Sequence, residues 1–489
     1  MNVLQIHPLD TVAVALETIS KGDRLPDGVS AAETVSQGHK LALRKIRAGD
    51  DIIKYSCPIG HATQDIEAGE WVHSHNLMTN LRDIISYAYH PDYRPLTLQS
   101  IKSFAGFLRP DGRAATRNEI WILPTVGCVN GVAQKLAHEN RHLMHGGIEG
   151  LYAFPHPFGC SQLGDDHENT KRILAALADH PNAGGVLILG LGCENNRMEQ
   201  FQHALRTWDP DRVKFLVCQD TADELTEGSR MLREIAAYAG QFRRQALSAD
   251  KLIVGLKCGG SDGLSGITAN PVVGRFSDLL LCEGGSAILT EVPEMFGAQG
   301  LLFNRCINQD IFSKAVSMIQ DFKQYFLSNG QNIYENPSPG NKDGGITTLE
   351  EKSCGCVQKG GCAPISDVLA YGDRVRGRGL SLLSGPGNDL VSTTALTAAG
   401  AHLILFTTGR GTPFGAPVPT LKIASNTALF ETKSGWIDFN AGSTLQGETI
   451  EEAGQRLLNT VLQIAGGEQT KAEKHGYREI SLWKNGVVL

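Results

Sequence analysis

The sequence has no apolar run approaching the roughly 18 residues of a membrane span. Its first residues, MNVLQIHPLD, also lack a basic segment followed by an apolar one. Both absences predict a cytoplasmic protein. Positive charge is not in excess either: 45 Lys and Arg against 52 Asp and Glu give a net charge of -7 and a pI near 6.1. That balance argues against nucleic acid or an anionic membrane as partner, so a small anionic ligand would need Lys and Arg placed locally. A disulfide framework is missing as well. Eleven cysteines, an odd number in 489 residues with no secretion signal, are expected to be thiols in a reducing compartment. Neither a Walker A loop nor GxGxxG occurs.

What is abundant is glycine, 55 residues, often directly after short apolar runs where a strand turns into a loop. The first 80 residues repeat one pattern, Ile19-Ser-Lys-Gly22, Ile46-Arg-Ala-Gly49 and Ile66-Glu-Ala-Gly69, near β-prone segments at 41–43, 51–55 and 71–75. Short strands with regular Gly turns predict a small all-β module over 1–86. Residues 87–115 turn to Pro, Tyr and polar residues and are expected to form a linker. Beyond them apolar runs at 120–126, 151–154 and 186–191 alternate with segments of helical spacing such as 171–178. This predicts an α/β domain over 116–249 with a largely parallel sheet, closed by a helix at 231–249. Strands at 252–256, 287–289, 380–383 and 403–406, and a helix at 311–326, predict a second α/β domain over 250–489.

Three strands of the first α/β domain run into Gly127-Cys128, Gly159-Cys160 and Gly192-Cys193. Ligands of open parallel sheets bind beyond the carboxyl ends of the strands, so Cys128, Cys160 and Cys193 are candidate ligands for a metal that thiolates select, such as iron. A cysteine after a strand is equally a small buried hydrophobe. Cys258-Gly-Gly repeats the device in the last domain. Cys354-Gly-Cys356 and Cys362, beside Lys352 and Lys359, match no structural zinc spacing and are set aside as a metal site. His73 and His75, at i and i+2, are expected on one strand face, and with Asn76 they are candidate substrate ligands. His156, four residues before Cys160, is a candidate general base, and Glu194, next to Cys193, a candidate catalytic carboxylate. Three Gly-rich loops, 259–263 with Ser261 and Asp262, 336–342 with Lys342, and 407–413 with Arg410, look built for an anionic, hydroxyl-rich ligand.

Several long motifs carry a resemblance: Gly38-His39-Lys40, Leu123-Pro-Thr-Val-Gly-Cys128-Val-Asn-Gly, Gly159-Cys160-Ser-Gln-Leu-Gly-Asp-Asp-His167, Gly190-Leu-Gly-Cys193-Glu194-Asn and Cys258-Gly-Gly-Ser-Asp-Gly-Leu-Ser-Gly-Ile-Thr-Ala-Asn-Pro271, with the loops at 336–342 and 407–413. In order, and over essentially the whole chain, they resemble the altronate dehydratases and more loosely the galactarate dehydratases. The resemblance implies conversion of D-altronate to 2-dehydro-3-deoxy-D-gluconate and water, with ferrous iron and reducing conditions. It further implies an N-terminal β-clip domain, a Rossmann-like C-terminal domain and a homodimer. The His73-Ser-His75-Asn76 segment looks like the altronate type. Alternatives are a galactarate-type dehydratase, a sulfo-lyase of the same family, an iron–sulfur cluster on Cys128, Cys160 and Cys193 in place of a single iron, and a sugar-acid binding protein without turnover.

Overall fold

The computed structural model describes all residues except 1, 26–27, 82–86, 99–101, 206 and 489. Two small antiparallel sheets form the N-terminal module. One holds Val3–Leu4, Val12–Ala15, Lys40–Ala42 and Trp71–Val72; the other holds Asp51–Lys54, Cys57–Ala62 and Leu77–Met78. The Ile-Gly repeat explains itself here. Ile19, Ile46 and Ile66 are buried, while Gly22, Gly49 and Gly69 turn the chain at φ 89°, 87° and 88°, a left-handed conformation that disfavours side chains. Each of these glycines donates its amide to a carbonyl 2.8 Å away, on Ala31, Ala62 and Ala42 respectively.

The segment expected as a linker contains two strands, Ser103–Leu108 and Ala114–Ala115, in a sheet with Arg244–Ser248. The expected boundary at 86 and residues 99–101 lie outside the described residues. The same sheet corrects the expected helix at 231–249. Helix Glu224–Ala239 stops at Gly240, and Arg244–Ser248 pairs instead with Ser103–Leu108. Tertiary pairing there overrides the local helical pattern.

The middle sheet is parallel, in the order Gly150–Ala153, Glu119–Pro124, Ala183–Gly190, Val213–Val217. Helices cover it, among them Asn130–Glu139, Gly164–Ala178 and Glu224–Ala239, which is why strand residues such as Ile120, Trp121, Val186 and Ile188 are fully buried on both faces. The last domain holds a seven-stranded parallel sheet. Its order is Ile365–Leu369, Gly379–Leu383, Ser286–Leu289, Ile253–Cys258, Leu403–Thr408, Thr420–Ala424, Phe439–Asn440. From Ile253–Cys258 the chain builds the sheet first toward one edge, then returns to Leu403–Thr408 and builds toward the other. That doubly wound order puts a topological switch point between these two strands, where α/β sheets bind ligands. No described helix is long and apolar enough to cross a membrane.

The N-terminal module is fastened to the last domain by buried charge. Lys40 and Lys54, at the ends of two different strands, both reach Glu351 of helix Leu349–Cys356, at 2.7 and 2.8 Å, and the three side chains are almost wholly buried. Backbone also approaches closely. A side chain at Gly263 would place its Cβ 1.9 Å from the Gly38 carbonyl oxygen, and one at Gly345 2.4 Å from the same atom. Burial works against the Glu351 charge, but the two ammonium groups prevail and hold its pKa down from 4.5 to about 2. A depressed carboxylate contributes stability above its unfolded pKa and loses it as pH falls toward its folded one. Glu351→Gln, which leaves two buried ammonium groups without a counter-charge, should therefore cost about 3–5 kcal/mol. The difference from wild type, read from urea-unfolding midpoints, should shrink as pH falls from 4.5 toward 2. Equal midpoints at neutral pH would remove Glu351 from this role.

Candidate active site

The loops after the two switch-point strands interlock. The Gly260 carbonyl accepts from the amides of Gly409 and Arg410 at 3.0 and 3.1 Å, and Gly260 itself has φ 64°. Asp262 is consumed in holding the loops: its carboxylate accepts from Ser265 N, Ser265 Oγ, Ser425 Oγ and Asn426 Nδ2 between 2.8 and 3.2 Å. Asn341 ties the third Gly-rich loop in by donating to the Ser261 carbonyl at 2.8 Å. Arg410 and Lys342 are exposed at the rim, Arg410 donating to Gly340 O at 2.9 Å. The three loops read from the sequence as suited to an anionic ligand thus lie together in the structure. Ser261 is buried, yet its Oγ has no hydrogen-bond partner among the described residues. Such an orphan is uncommon and invites a ligand. It lines a tight cavity of about 10 Å³, room for a single water, that also meets Tyr55, Asn270, Lys352 and Cys356.

Beneath the loops lies a buried polar cluster. Cys258 ends strand Ile253–Cys258, Glu291 and Glu294 follow strand Ser286–Leu289, and Cys356 ends helix Leu349–Cys356. The Cys258 and Cys356 sulfurs are 3.4 Å apart, and both contact Glu294 Oε2, at 3.0 and 3.1 Å. Lys359 Nζ donates to Cys258 Sγ at 3.0 Å, and Lys352 Nζ pairs with Glu294 Oε1 at 2.8 Å. Lys257 bridges Glu291 and Asp389. Glu291 sits at φ 73° and ψ 61°, costly for a side-chain-bearing residue, and so aims its carboxylate at the Cys258 amide, 3.0 Å away. Burial would raise the Glu294 carboxyl, but Lys352, Lys257 and Lys359 hold it well below the usual carboxylate range. Burial and neighbouring Glu294 push Glu291 up. The hydrogen bond to Cys258 and burial push the Cys356 thiol well up.

At the module junction His73 is buried, stacks on Trp71 at 5.2 Å between centroids, and bonds Thr347 Oγ1 through Nδ1 at 2.8 Å. Burial, then the Lys40 charge, lower its pKa to about 4, so the ring is neutral near pH 7. His75 is exposed, its ring 5.1 Å from that of Trp71. The expected shared strand face is corrected here. The strand ends at Val72, and Asn76 closes a turn by accepting from His73 N at 2.9 Å and donating to Trp71 O at 2.9 Å.

Cys128, Cys160 and Cys193 are all exposed at the carboxyl edge of the middle sheet. Their loops are bonded to one another: Gly127 N to Phe158 O at 2.9 Å, Asn196 N to Gly159 O at 3.0 Å, and Ser161 N to Asn195 Oδ1 at 2.9 Å. A Cβ at Gly159 would lie 1.9 Å from Thr125 O. His156 and Glu194 serve this assembly. His156 donates to Pro124 O at 2.8 Å and accepts from Phe158 N at 3.2 Å, with burial lowering its pKa. Glu194 accepts from Thr125 Oγ1 at 2.7 Å and Leu191 N at 3.1 Å. Among the described residues, one group of three or more His, Cys, Asp or Glu brings its ligand atoms within 4.8 Å of one another, and it is Cys258, Glu294 and Cys356. Two sulfurs and an oxygen suit a borderline divalent ion such as iron. Sequence reasoning missed Glu291, Glu294 and the partnership of Cys356 with Cys258. The available signal was charge where a buried strand ends: Lys257 before Cys258, and Glu291 two residues after Leu289.

Residues 1–80 match the family described as altronate/galactarate dehydratase SAF domain. Residues 106–240 match the second domain of D-galactarate dehydratase/altronate hydrolase, and 249–488 the C-terminal domain of D-galactarate/altronate dehydratase. The chain is 51% identical to an altronate dehydratase of Bacillus subtilis (strain 168), covering 99% of both chains. It is 48% identical to an altronate dehydratase of Escherichia coli (strain K12), covering 100% of both. To a galactarate dehydratase (L-threo-forming) of Escherichia coli (strain K12) it is 32% identical, over 95% of this chain and 93% of that one.

Exposure divides the thiols, and labelling should follow it. In the native reduced protein Cys128, Cys160, Cys193 and Cys362 should react first with an aromatic disulfide reagent. Buried Cys258, Cys354 and Cys356 should react only on unfolding. Replacing Cys128, Cys160 and Cys193 by Ser should remove three of the four fast equivalents; an undiminished fast phase would mean that these three are covered in solution.

Proposed function

Because the chain belongs to the altronate/galactarate dehydratase family, we propose that this hydro-lyase acts on D-altronate and releases 2-dehydro-3-deoxy-D-gluconate. The observation that carries the reading is the identity of 51% and 48% over nearly all of two altronate dehydratases, against 32% to a galactarate dehydratase.

In the reaction, C2 of the 2,3-dihydroxy acid loses its proton to a base, the electron pair forms the C2–C3 double bond, and the C3 hydroxyl leaves, taking up a proton from an acid to become water. The resulting enol becomes the 2-keto acid by proton transfer. Several groups of this chain fit the substrate. The Ser261 hydroxyl and the amide-rich loops at 259–263 and 407–413 suit its carboxylate and hydroxyls, with Arg410 and Lys342 adding charge at the rim. His73 is neutral and has no hydrogen-bond partner at Nε2 among the described residues, so that nitrogen can bond a substrate hydroxyl, as donor or acceptor according to the ring's tautomer, with His75 and Asn76 shaping the same turn. Ferrous iron, when bound, supplies a positive centre that stabilises the developing enolate or the departing hydroxide. Two donor sets have thiolate chemistry suited to iron, the exposed thiols of Cys128, Cys160 and Cys193 and the buried group of Cys258, Glu294 and Cys356, and only the second brings its ligand atoms within 4.8 Å of one another among the described residues.

With ferrous iron and a thiol reductant, the purified protein should convert altronate to a 2-keto-3-deoxy acid faster than it consumes galactarate, followed by a colorimetric assay of the keto acid. Preference for galactarate, or for a sulfonate, would overturn the substrate assignment. Ser261→Ala should leave stability within about 0.5 kcal/mol and lower kcat/KM up to about tenfold, the worth of one neutral hydrogen bond. Arg410→Ala or Lys342→Ala should lower it roughly ten- to hundredfold, as expected for a charge-assisted bond. Unchanged kinetics would make the respective group a structural part of its loop.

A further inference from the structure

We propose that Cys258, Glu294 and Cys356 hold a single divalent metal ion of borderline softness through two thiolates and one carboxylate oxygen. The first argument is a count of hydrogens. Each thiol has one proton to donate, and both sulfurs lie 3.0 to 3.1 Å from the same oxygen, Glu294 Oε2. If both protons point at that oxygen, none is left for the contact between the sulfurs, which are nevertheless 3.4 Å apart. If one proton lies between the sulfurs, one of the sulfur–oxygen contacts has none. Three lone-pair atoms therefore crowd one point with too few hydrogens to join them, and a cation at that point resolves all three contacts. Three ligands around a metal at thiolate distances of about 2.3 Å would be separated by between 3 and 4 Å, roughly as seen.

The second argument is charge. Lys257, Lys352 and Lys359 face Glu291, Glu294 and Asp389, three basic groups against three acidic ones. Exchanging two thiol protons for one dication leaves the total unchanged. The metal thus enters a buried site without adding net charge to it, which avoids the main cost of burying an ion. The third is support. Lys359 donates to Cys258 Sγ and Lys352 to Glu294 Oε1, as groups behind the ligands do when they orient and stabilise anionic donors. Glu291, in its strained backbone conformation, bonds the amide of Cys258 and fixes the first ligand. The ligands come from a strand end, the turn after the neighbouring strand and a helix end, so the folded domain assembles the site before any metal arrives.

Cavity and metal then adjoin, because Cys356 and Lys352 line the space into which the unpartnered Ser261 hydroxyl is packed. The site needs no assumption about which sugar acid is turned over, and its test does not use turnover. The full-length reduced protein, stripped of metal with a chelator, is titrated anaerobically with cobalt(II). Thiolate-to-cobalt charge transfer should appear in the near ultraviolet and saturate at one cobalt per chain. It should persist when Cys128, Cys160 and Cys193 are all replaced by Ser, and be lost or at least halved in Cys258→Ser and in Cys356→Ser. Absence of the band in wild type, its loss in the triple variant, or its survival at full strength in both single variants would overturn the proposal. The triple variant changes exposed positions only, so its arm decides even if a buried single variant does not fold.

Discussion

The carboxylate of Glu351, shared between the buried ammonium groups of Lys40 and Lys54, is the interaction that holds the N-terminal module against the last domain. Docking removes all three groups from water at once, and the carboxylate and the two ammonium groups compensate one another. Together they form a triad in which burial is offset by two ion pairs at 2.7 and 2.8 Å. The same helix, Leu349–Cys356, carries Glu351 toward the module and ends in Cys356 toward the switch point. Whatever holds the module in register therefore also sets one wall of the cavity. The glycines make that register possible, since Gly38, Gly263 and Gly345 bring three backbone segments closer than any side chain would permit.

Placing so much charge beneath a parallel sheet edge is poor design for stability alone. Apolar residues of similar volume would usually stabilise as well or better. The cluster around Cys258 instead sits where loops converge at the switch point, contains a left-handed Glu291, and opens beside an unpaired Ser261 hydroxyl. Strain, buried charge and an orphaned donor in one place mark groups held ready for a ligand rather than for the fold. The middle domain follows a different logic. Its three Gly-Cys loops are joined by main-chain bonds, with His156 and Glu194 spent on holding them, so its exposed thiols are presented on a rigid edge.

Local features of the chain were legible in the sequence because they are local in cause. The Ile-x-x-Gly repeat has one reason at each copy, a buried isoleucine and a left-handed glycine. The alternation of apolar runs with helical spacing followed from sheets buried on both faces. The three Gly-rich loops could each be read as anion-suited turns from their own residues, because that chemistry is local. What escaped reading depends on distant partners. Lys40 and Glu351 are 311 positions apart by their numbering, and Cys258 meets Cys356 across 98. Cys354-Gly-Cys356 was set aside for lacking a ligand spacing, yet a spacing rule sees only sites whose ligands share a segment. The turn at 73–76 was misread for a related reason: the i, i+2 pattern of His73 and His75 mimics a strand, while the Asn76 side chain, by bonding two main-chain groups, ends it.

The position of His73 ties the N-terminal module to the last domain. Its ring is fixed on one side by Trp71 and at Nδ1 by Thr347, a residue of the last domain that Lys40 also contacts, at 2.6 Å. Any displacement of the module would break the His73–Thr347 bond together with the Lys40 ion pair, so the imidazole is placed by the domain interface and not by its own turn alone. Lys40, whose pKa burial brings down to about 8, remains largely charged at neutral pH and adds to the burial that keeps the nearby His73 neutral. A neutral ring can accept a hydrogen bond from a hydroxyl, whereas a protonated one would favour a second carboxylate. Under the proposed function, the interface charge would favour a monocarboxylic polyol over a dicarboxylate at this ring.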